Sequence, residues 1–366
     1  MPVIQVQSRI RNYPVHITRD AGFVSGFERL THRCYVVDEN VWRLYKTSTL
    51  SSLDPSRTII QPINERLKTL ESVSLLYDRL VDFPAKRNLT LVSIGGGILQ
   101  DITGFAASTL YRGINWIYVP TTLLAQADSC IGGKTSLNYK RYKNLVGTFY
   151  PPYAVRVHIP FLGTLEEADF RSGLGEVVKL HIMAGPDSVH RLLDMLPAIR
   201  RRDIEALTTA VTHSLMAKLA YISEDEFDQG RRNLLNYGHC FGHALETTSD
   251  YLIPHGQAVM VGMMLANIAS RSRGLLSRPL ETELRQELLE PNLVARPGRV
   301  HLEPEAVIDA MKRDKKRKGD GLALVVLKDG YEMQRLDNFT PDEARAAIEE
   351  FMGLIEPTGN GGPKSN

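Results

Sequence analysis

With 366 residues, 43% of them hydrophobic, the chain can bury a large core, and at ~100–200 residues per domain its length favours two domains. The 44 Lys and Arg nearly balance 42 Asp and Glu, for a formal net charge of +2, which gives no reason to expect nucleic acid or an anionic membrane as a partner; basic clusters must be read locally. Three cysteines, Cys34, Cys130 and Cys240, without CxxC spacing, argue against a disulfide framework or a thiolate zinc site and predict buried free thiols.

The N-terminus lacks the basic-then-apolar pattern of a secretory signal, and no apolar run approaches the roughly 18–20 residues of a membrane span, so a cytoplasmic protein is expected. Short β-branched runs predict strands over 34–37, 58–60, 89–94 and 116–119, and apolar periods predict helices over 67–80 and 98–110. This βα alternation implies an α/β domain with a mostly parallel sheet over 1–160. From about Thr164 the period turns almost wholly helical, over 176–181, 206–222, 233–248 and 257–272, which predicts an all-α domain over 161–355. Within it, 322–327 and 331–336 read as a hairpin around Lys328-Asp329-Gly330, and 341–352 as a final helix capped by Thr340. The tail over 356–366 is expected to be disordered. No internal repeat is found.

The strand over 89–94 runs into Gly95-Gly96-Gly97 and then into a helical period containing Asp101. Glycines let backbone approach a phosphate closely, and a helix N-terminus offers it unpaired N–H groups. A purely structural turn is the plain alternative, since GxGxxG is not what is written. Two further strand ends, Asp38-x-Asn40 and Pro120-Thr121-Thr122, carry groups suited to a ribose and a pyrophosphate at the carboxyl edge of a parallel sheet.

Asp128-x-x-x-Gly132-Gly133-Lys134, followed by Lys143-Asn144, places two cations and an amide in what reads as a glycine-rich loop, although no GxxxxGK can be written. Glu176 and Lys179 form a pair one turn apart, and Lys218 interrupts the apolar face of its helix. Arg232, Asn236, His239 and His243 follow at offsets that make one continuous stripe on a helix. So many cations in an almost neutral protein point to an anionic substrate, a phosphate or carboxylate. For a metal, spacing alone favours His239 with His243, while Glu176 and His255 are further candidates; two imidazoles and a carboxylate would leave a zinc site open to a substrate oxygen.

With these residues assembled, the chain resembles the sugar phosphate cyclase family, most closely its dehydroquinate-forming members. The resemblance runs from about Tyr35 to Leu327. It is carried by GGGxxxD at 95–101, TxxRG around Arg112, PTTLLAQxDS at 120–129, GGKT at 132–135, Lys143-Asn144, GEVVK at 175–179, SEDE at 223–226, LLN at 234–236, GHCFGHALE at 238–246, His255-Gly256 and DKK at 314–316.

The resemblance implies an N-terminal Rossmann-like domain that binds NAD and a C-terminal all-α domain that binds metal and substrate. Glu176, His239 and His255 would hold Zn²⁺, with Co²⁺ as an alternative, leaving His243 to the substrate. The nicotinamide site would comprise Asp38, Asn40, Glu65, Lys68, Gly96, Gly97, Asp101, Thr121 and Thr122, with Thr164 nearby. The substrate site would comprise Asp128, Lys134, Lys143, Asn144, Lys179, Lys218, Arg232, Asn236, His243 and Lys315, with Arg112 reaching a phosphate across a homodimer interface. Tyr142, Asn64 and Asp228 depart from the family pattern; Tyr142 and Asp228 lie where they would bear on which sugar phosphate is used.

The implied reaction turns a linear seven-carbon acid phosphate into a carbocycle through transient oxidation, phosphate elimination, reduction, ring opening and aldol closure, with NAD regenerated. Cyclases of specialised metabolism, of the aminodehydroquinate, 2-epi-5-epi-valiolone or 2-deoxy-scyllo-inosose synthase type, are the nearest alternative. A metal-dependent polyol dehydrogenase on the same two-domain fold, which would accumulate NADH, and a non-catalytic homologue are alternatives of other classes.

Overall fold

The computed structural model describes residues 2–84, 86–140, 142–294, 297–313 and 321–355. The tail over 356–366, expected to be disordered, and Lys315 lie outside the described residues. By internal contacts the chain forms two compact units, Met1–Gly173 with Asp194–Arg232, and Leu174–Leu193 with Asn233–Asn366. Cys34 and Cys130 are buried free thiols as expected, whereas Cys240 is half-buried.

The first unit is built on seven strands: β1 (Val3–Val6), β2 (Tyr13–Thr18), β3 (Arg33–Asp38), β4 (Thr58–Gln61), β5 (Thr90–Gly95), β6 (Asn115–Pro120) and, after a separate hairpin of β7 (Lys134–Tyr139) and β8 (Tyr142–Phe149), β9 (Ala154–His158). They pair in the order β1-β2-β9-β6-β5-β3-β4, all parallel except β1 with β2. Helices α1 (Glu39–Tyr45), α2 (Leu70–Val81) and α3 (Gly97–Thr109) follow β3, β4 and β5, so the predicted βα alternation and parallel sheet are what the chain forms. Every residue of β5 is buried, the pattern of a strand covered on both faces. Phe27, Tyr35, Val37, Val92, Ile94, Val119 and Phe161 share one apolar cluster with it. The sequence reading did not anticipate β1, β2, β9 or the hairpin.

In the second unit, α7 (His239–Thr248) and α8 (His255–Ser272) pack on each other, joined by α10 (Pro304–Lys312), α11 (Pro341–Ile355) and the antiparallel pair β10 (Leu322–Leu327) and β11 (Met333–Phe339). Of the remaining helices, α6 (Ile204–Ile222) belongs to the first unit and α9 (Arg278–Glu283) to the second, while α4 (Glu167–Met183) and α5 (Pro186–Arg200) each contribute residues to both. Thr340 caps α11 as predicted: its hydroxyl accepts from Glu343 N–H at 3.3 Å while Glu343 accepts from Thr340 N–H at 2.8 Å, a reciprocal pair.

A predicted helix is overturned. The helix predicted over 233–248 is broken: Arg231–Asn236 is a short 3-10 turn, Gly238 takes a left-handed φ of 78°, and α7 starts only at His239. Arg232 and Asn236 therefore do not share a helical stripe with His239 and His243. The cause is steric. A side chain on Gly238 would meet the Val259 carbonyl at 2.6 Å and Met263 at 2.7 Å, so the chain turns sharply there against α8.

Candidate functional site

In the first unit, register sets three strand ends side by side, with Val37 opposite Ile94 and Gly95 opposite Pro120. Asp38, the glycine turn and Thr121-Thr122 thus form one edge. A Cβ on Gly95 would lie 2.6 Å from Leu99 and 3.2 Å from the Cβ of Asp38, and one on Gly96 would lie 3.0 Å from Thr122. Gly96 precedes α3 and supplies no side-chain cap, leaving the first N–H groups of that helix open to an acceptor. Asp38 accepts from Asn40 N–H at 2.8 Å, and burial raises its carboxyl above the usual range. Thr164 bonds Tyr45 Oη at 2.7 Å.

On α3, Asp101 accepts from Lys68 Nζ at 2.8 Å and from Ser136 N–H and Oγ, each at 2.9 Å. Burial pushes the Asp101 carboxyl up against the opposing pull of Lys68. Ser136 also bonds Asn144 at 2.9 Å, and Asn138 donates to Glu65 at 2.8 Å with Lys143 Nζ at 4.0 Å from the same carboxylate. Lys143 and Asn144 therefore sit on β8 of a hairpin, not in a glycine-rich loop. The reason is legible in β7, whose Thr135 and Leu137 turn inward while Lys134, Ser136 and Asn138 turn the other way. Ser136 and Asn138 have as neighbours Glu65, Lys68 and Asp101, the set anticipated for a nucleotide.

Lys134, Lys218 and Arg232 occupy a second cluster of the same unit. Each lysine has its own carboxylate: Lys134 Nζ lies 2.5 Å from Asp228, and Lys218 Nζ lies 2.6 Å from Asp128 while also donating to the Asp128 carbonyl at 2.7 Å. Arg232 is buried, donates to the Gly132 and Glu226 carbonyls and lies over the Phe149 ring. Gly132, at φ +99°, has no room for a side chain, since a Cβ would come within 2.3 Å of Arg232 Nη2. Its N–H donates to Tyr13 Oη at 3.0 Å. Tyr13, Phe149, Ser136 and Asn138 were missed in sequence; the alternation of β7 could have found the last two, and nothing local marks Tyr13. Arg112 ends a turn after α3 in which Tyr111, Arg112 and Gly113 all have positive φ, a run that stores ~1–3 kcal/mol at each non-glycine residue.

In the second unit, Glu176, His239 and His255 each offer a ligand atom within 4.8 Å of the others. Glu176 Oε1 is 3.3 Å from His255 Nε2 and 3.6 Å from His239 Nε2, while its Oε2 meets Lys179 Nζ at 2.5 Å. Glu176 and Lys179 are almost wholly inaccessible, at 1% and 2%. Gly175 makes this approach possible, because a Cβ there would fall 2.2 Å from the Gly256 carbonyl. The outward nitrogens are tied down, His239 Nδ1 to the Tyr237 carbonyl at 3.1 Å and His255 Nδ1 to Glu246 at 3.1 Å. Asn236, His239 and His243 border a cleft that Asn233, Cys240 and Arg335 also line. The His243 ring lies 5.3 Å from that of His239 and 5.9 Å from that of His255.

The electrostatics fit a divalent cation. Burial opposes charge on Glu176, yet Lys179 and His255 hold its carboxyl well below the usual carboxylate range. Burial keeps His239 neutral, well below the usual imidazole range, which leaves Nε2 a lone pair. For His255, burial is outweighed by Glu176 and Glu246, which push it up to about 10. One carboxylate and two anchored imidazoles are the donor set of an open zinc site, and a cation would take the place of the His255 proton.

A family model described as 3-dehydroquinate synthase N-terminal matches residues 58–172, and one described as 3-dehydroquinate synthase C-terminal matches residues 173–317. The chain belongs to the 3-dehydroquinate synthase family. The 3-dehydroquinate synthase of Halorhodospira halophila is 38% identical over 349 residues, covering 93% of this chain and 97% of its own. The solved 2-epi-5-epi-valiolone synthase of Streptomyces hygroscopicus, with NAD⁺ and Zn²⁺ bound, has the same fold, with a TM-score of 0.81 at 24% identity over 96% of this chain and 99% of that one. A probable glycerol dehydrogenase from Sinorhizobium meliloti is similar at a TM-score of 0.59 and 15% identity, over 93% of this chain and 96% of that one. Fold alone is thus shared with a dehydrogenase, and membership of the 3-dehydroquinate synthase family rests on the sequence matches.

Proposed function

We infer that the chain is a phosphate-eliminating cyclase that converts 3-deoxy-D-arabino-heptulosonate 7-phosphate to 3-dehydroquinate with catalytic NAD and Zn²⁺ or Co²⁺. The observation that carries this is the unbroken family match over residues 58–317, within which Glu176, His239 and His255 converge. When bound, the cation supplies positive charge to steady a developing alkoxide, and the nicotinamide supplies a reversible hydride acceptor.

The chain's own groups bind and orient. Asp38, Asn40, Glu65, Lys68, Gly96, Gly97, Asp101, Thr121, Thr122 and Thr164 are proposed for the dinucleotide. Lys134, Lys143, Lys179, Lys218, Arg232 and Lys315 are proposed to hold carboxylate and phosphate, with Asp128, Asn144, Asn236 and His243 on the hydroxyls. Such positioning can remove ~7–11 kcal/mol of barrier. Arg232, fixed by two backbone carbonyls, offers its planar guanidinium in one orientation, which favours a carboxylate-bearing substrate over a heptulose phosphate that lacks the carboxylate. The proton lost during elimination is assigned to the leaving phosphate. A cytoplasmic homodimer in which Arg112 reaches the partner's substrate belongs to the same proposal.

Incubation with candidate sugar phosphates, NAD⁺ and Zn²⁺, following inorganic phosphate and the NADH absorbance together, tests the reading. Phosphate release without net NADH is expected with the carboxylate-bearing heptulosonate. Accumulating NADH would indicate a dehydrogenase, and release from a heptulose or hexose phosphate without a carboxylate alone would indicate another cyclase.

A further inference from the structure

We propose that Glu246 is the positioning residue for His255: its carboxylate accepts from His255 Nδ1–H, fixes the tautomer whose Nε2 faces Glu176, and so sets the affinity of the site for its cation. The inference rests on Glu176, His239 and His255 being the ligands. His239, His243 and Glu246 lie at i, i+4 and i+7 of α7 and so share one face of that helix. From that face the Glu246 carboxylate comes within 3.1 Å of His255 Nδ1. Glu246 is only 8% exposed, and a carboxylate so far out of water needs a compensating partner.

The two imidazoles are anchored alike but not equally. His239 Nδ1 faces a neutral carbonyl, whereas His255 Nδ1 faces a carboxylate, which makes the His255 ring the stronger donor through Nε2. The close approach of α7 to α8 is made by Gly242, where a Cβ would sit 3.1 Å from Val259 Cα. His243, Glu246 and His255 also lie within ligand distance of one another. In that arrangement Glu246 would be a ligand itself, and the experiment separates the two roles.

Zn²⁺ affinity and stoichiometry are measured on the full chain by competition with a chromophoric chelator, and the visible absorption of the Co²⁺ form is recorded. Glu246→Ala, Glu246→Gln and His255→Ala are compared with the parent. Glu246→Ala is expected to weaken Zn²⁺ roughly 10–100-fold, and Glu246→Gln, which has the same shape and can still accept the hydrogen bond, is expected to weaken it less. At saturation both should bind one equivalent with the parental Co²⁺ bands, because no ligand has been removed. Parental affinity in both Glu246 variants overturns the inference, as does a changed Co²⁺ spectrum or a second equivalent in the parent that Glu246→Ala loses. Glu246→Gln keeps the test decisive if Glu246→Ala does not fold. Parental affinity in His255→Ala would instead remove the ligand reading itself.

Discussion

A Cβ on Gly262 would lie 1.9 Å from the carbonyl oxygen of Gly238, so α8 passes the start of α7 with backbone against backbone. His239 follows Gly238 directly and His255 opens α8, so this contact sets the distance between the two imidazoles. Gly262→Ala is expected to cost ~3 kcal/mol, since the obstructing atom is backbone and cannot rotate away. It should also weaken Zn²⁺ binding. Chemical denaturation with and without Zn²⁺ checks both, and a fully stable Gly262→Ala protein would show that the helices can separate freely.

The strand-end edge allows an opposite test. Gly95→Ala would push into Leu99 and Asp38 and is expected to raise the NAD⁺ dissociation constant at least ~10-fold. Zn²⁺ stoichiometry should stay at the parental value, because the ligand set is drawn from other residues. Calorimetric titration with each ligand distinguishes this from general unfolding, which would lose both.

Metal removal should be visible in stability. A cation that binds only the folded chain stabilises it by RT ln(1 + [L]/Kd), ~2.7 kcal/mol at one hundred times Kd. Chelation is therefore expected to lower the melting temperature of the parent and to leave Glu176→Gln unchanged. A chelator response in Glu176→Gln equal to the parent's would take Glu176 out of the ligand set.

Acid stability should carry the signature of Glu343. Arg273, which holds both its carboxylate oxygens at 2.7 and 2.8 Å, and Thr340 lower it to about 2. A carboxyl depressed in the folded state contributes stability that is complete above its unfolded pKa, near 4.5, and is lost as pH falls from there towards 2. The group is about a third exposed, so its contribution is put at no more than ~1 kcal/mol. Glu343→Gln should be less stable than the parent at pH 7 and converge with it near pH 2; a constant difference between the two pH values would refute the assignment.

What sequence revealed followed from periodicity and from short motifs. The βα alternation marked β3, β5 and β6, because strands buried on both faces read as unbroken apolar runs, and β4, an edge strand with Ile59 alone buried, through its β-branched Thr58, Ile59 and Ile60. Thr340 announced a cap because a hydroxyl before a helical period has few other uses there. The hairpin escaped because Lys134 and Lys143 drew attention to charge, while the alternation of Thr135 and Leu137 is only a few residues long. The broken helix before His239 escaped for a different reason. Spacing along a chain assumes continuous geometry, and Gly238 interrupts it through contacts with Val259 and Met263 that are far away in sequence. Glu246 could have been found, since it extends the His239–His243 spacing by one more turn, but its burial and its partner emerge only from the fold.

The alternation of β7 carries an evolutionary corollary. Losing a single residue from that strand would exchange the inward Thr135 and Leu137 with the outward Lys134, Ser136 and Asn138, exposing methyl groups and entombing an ammonium in one event. Length variation among descendants of this chain should therefore spare β7 and accumulate in connecting segments, where an extra residue shifts no phase.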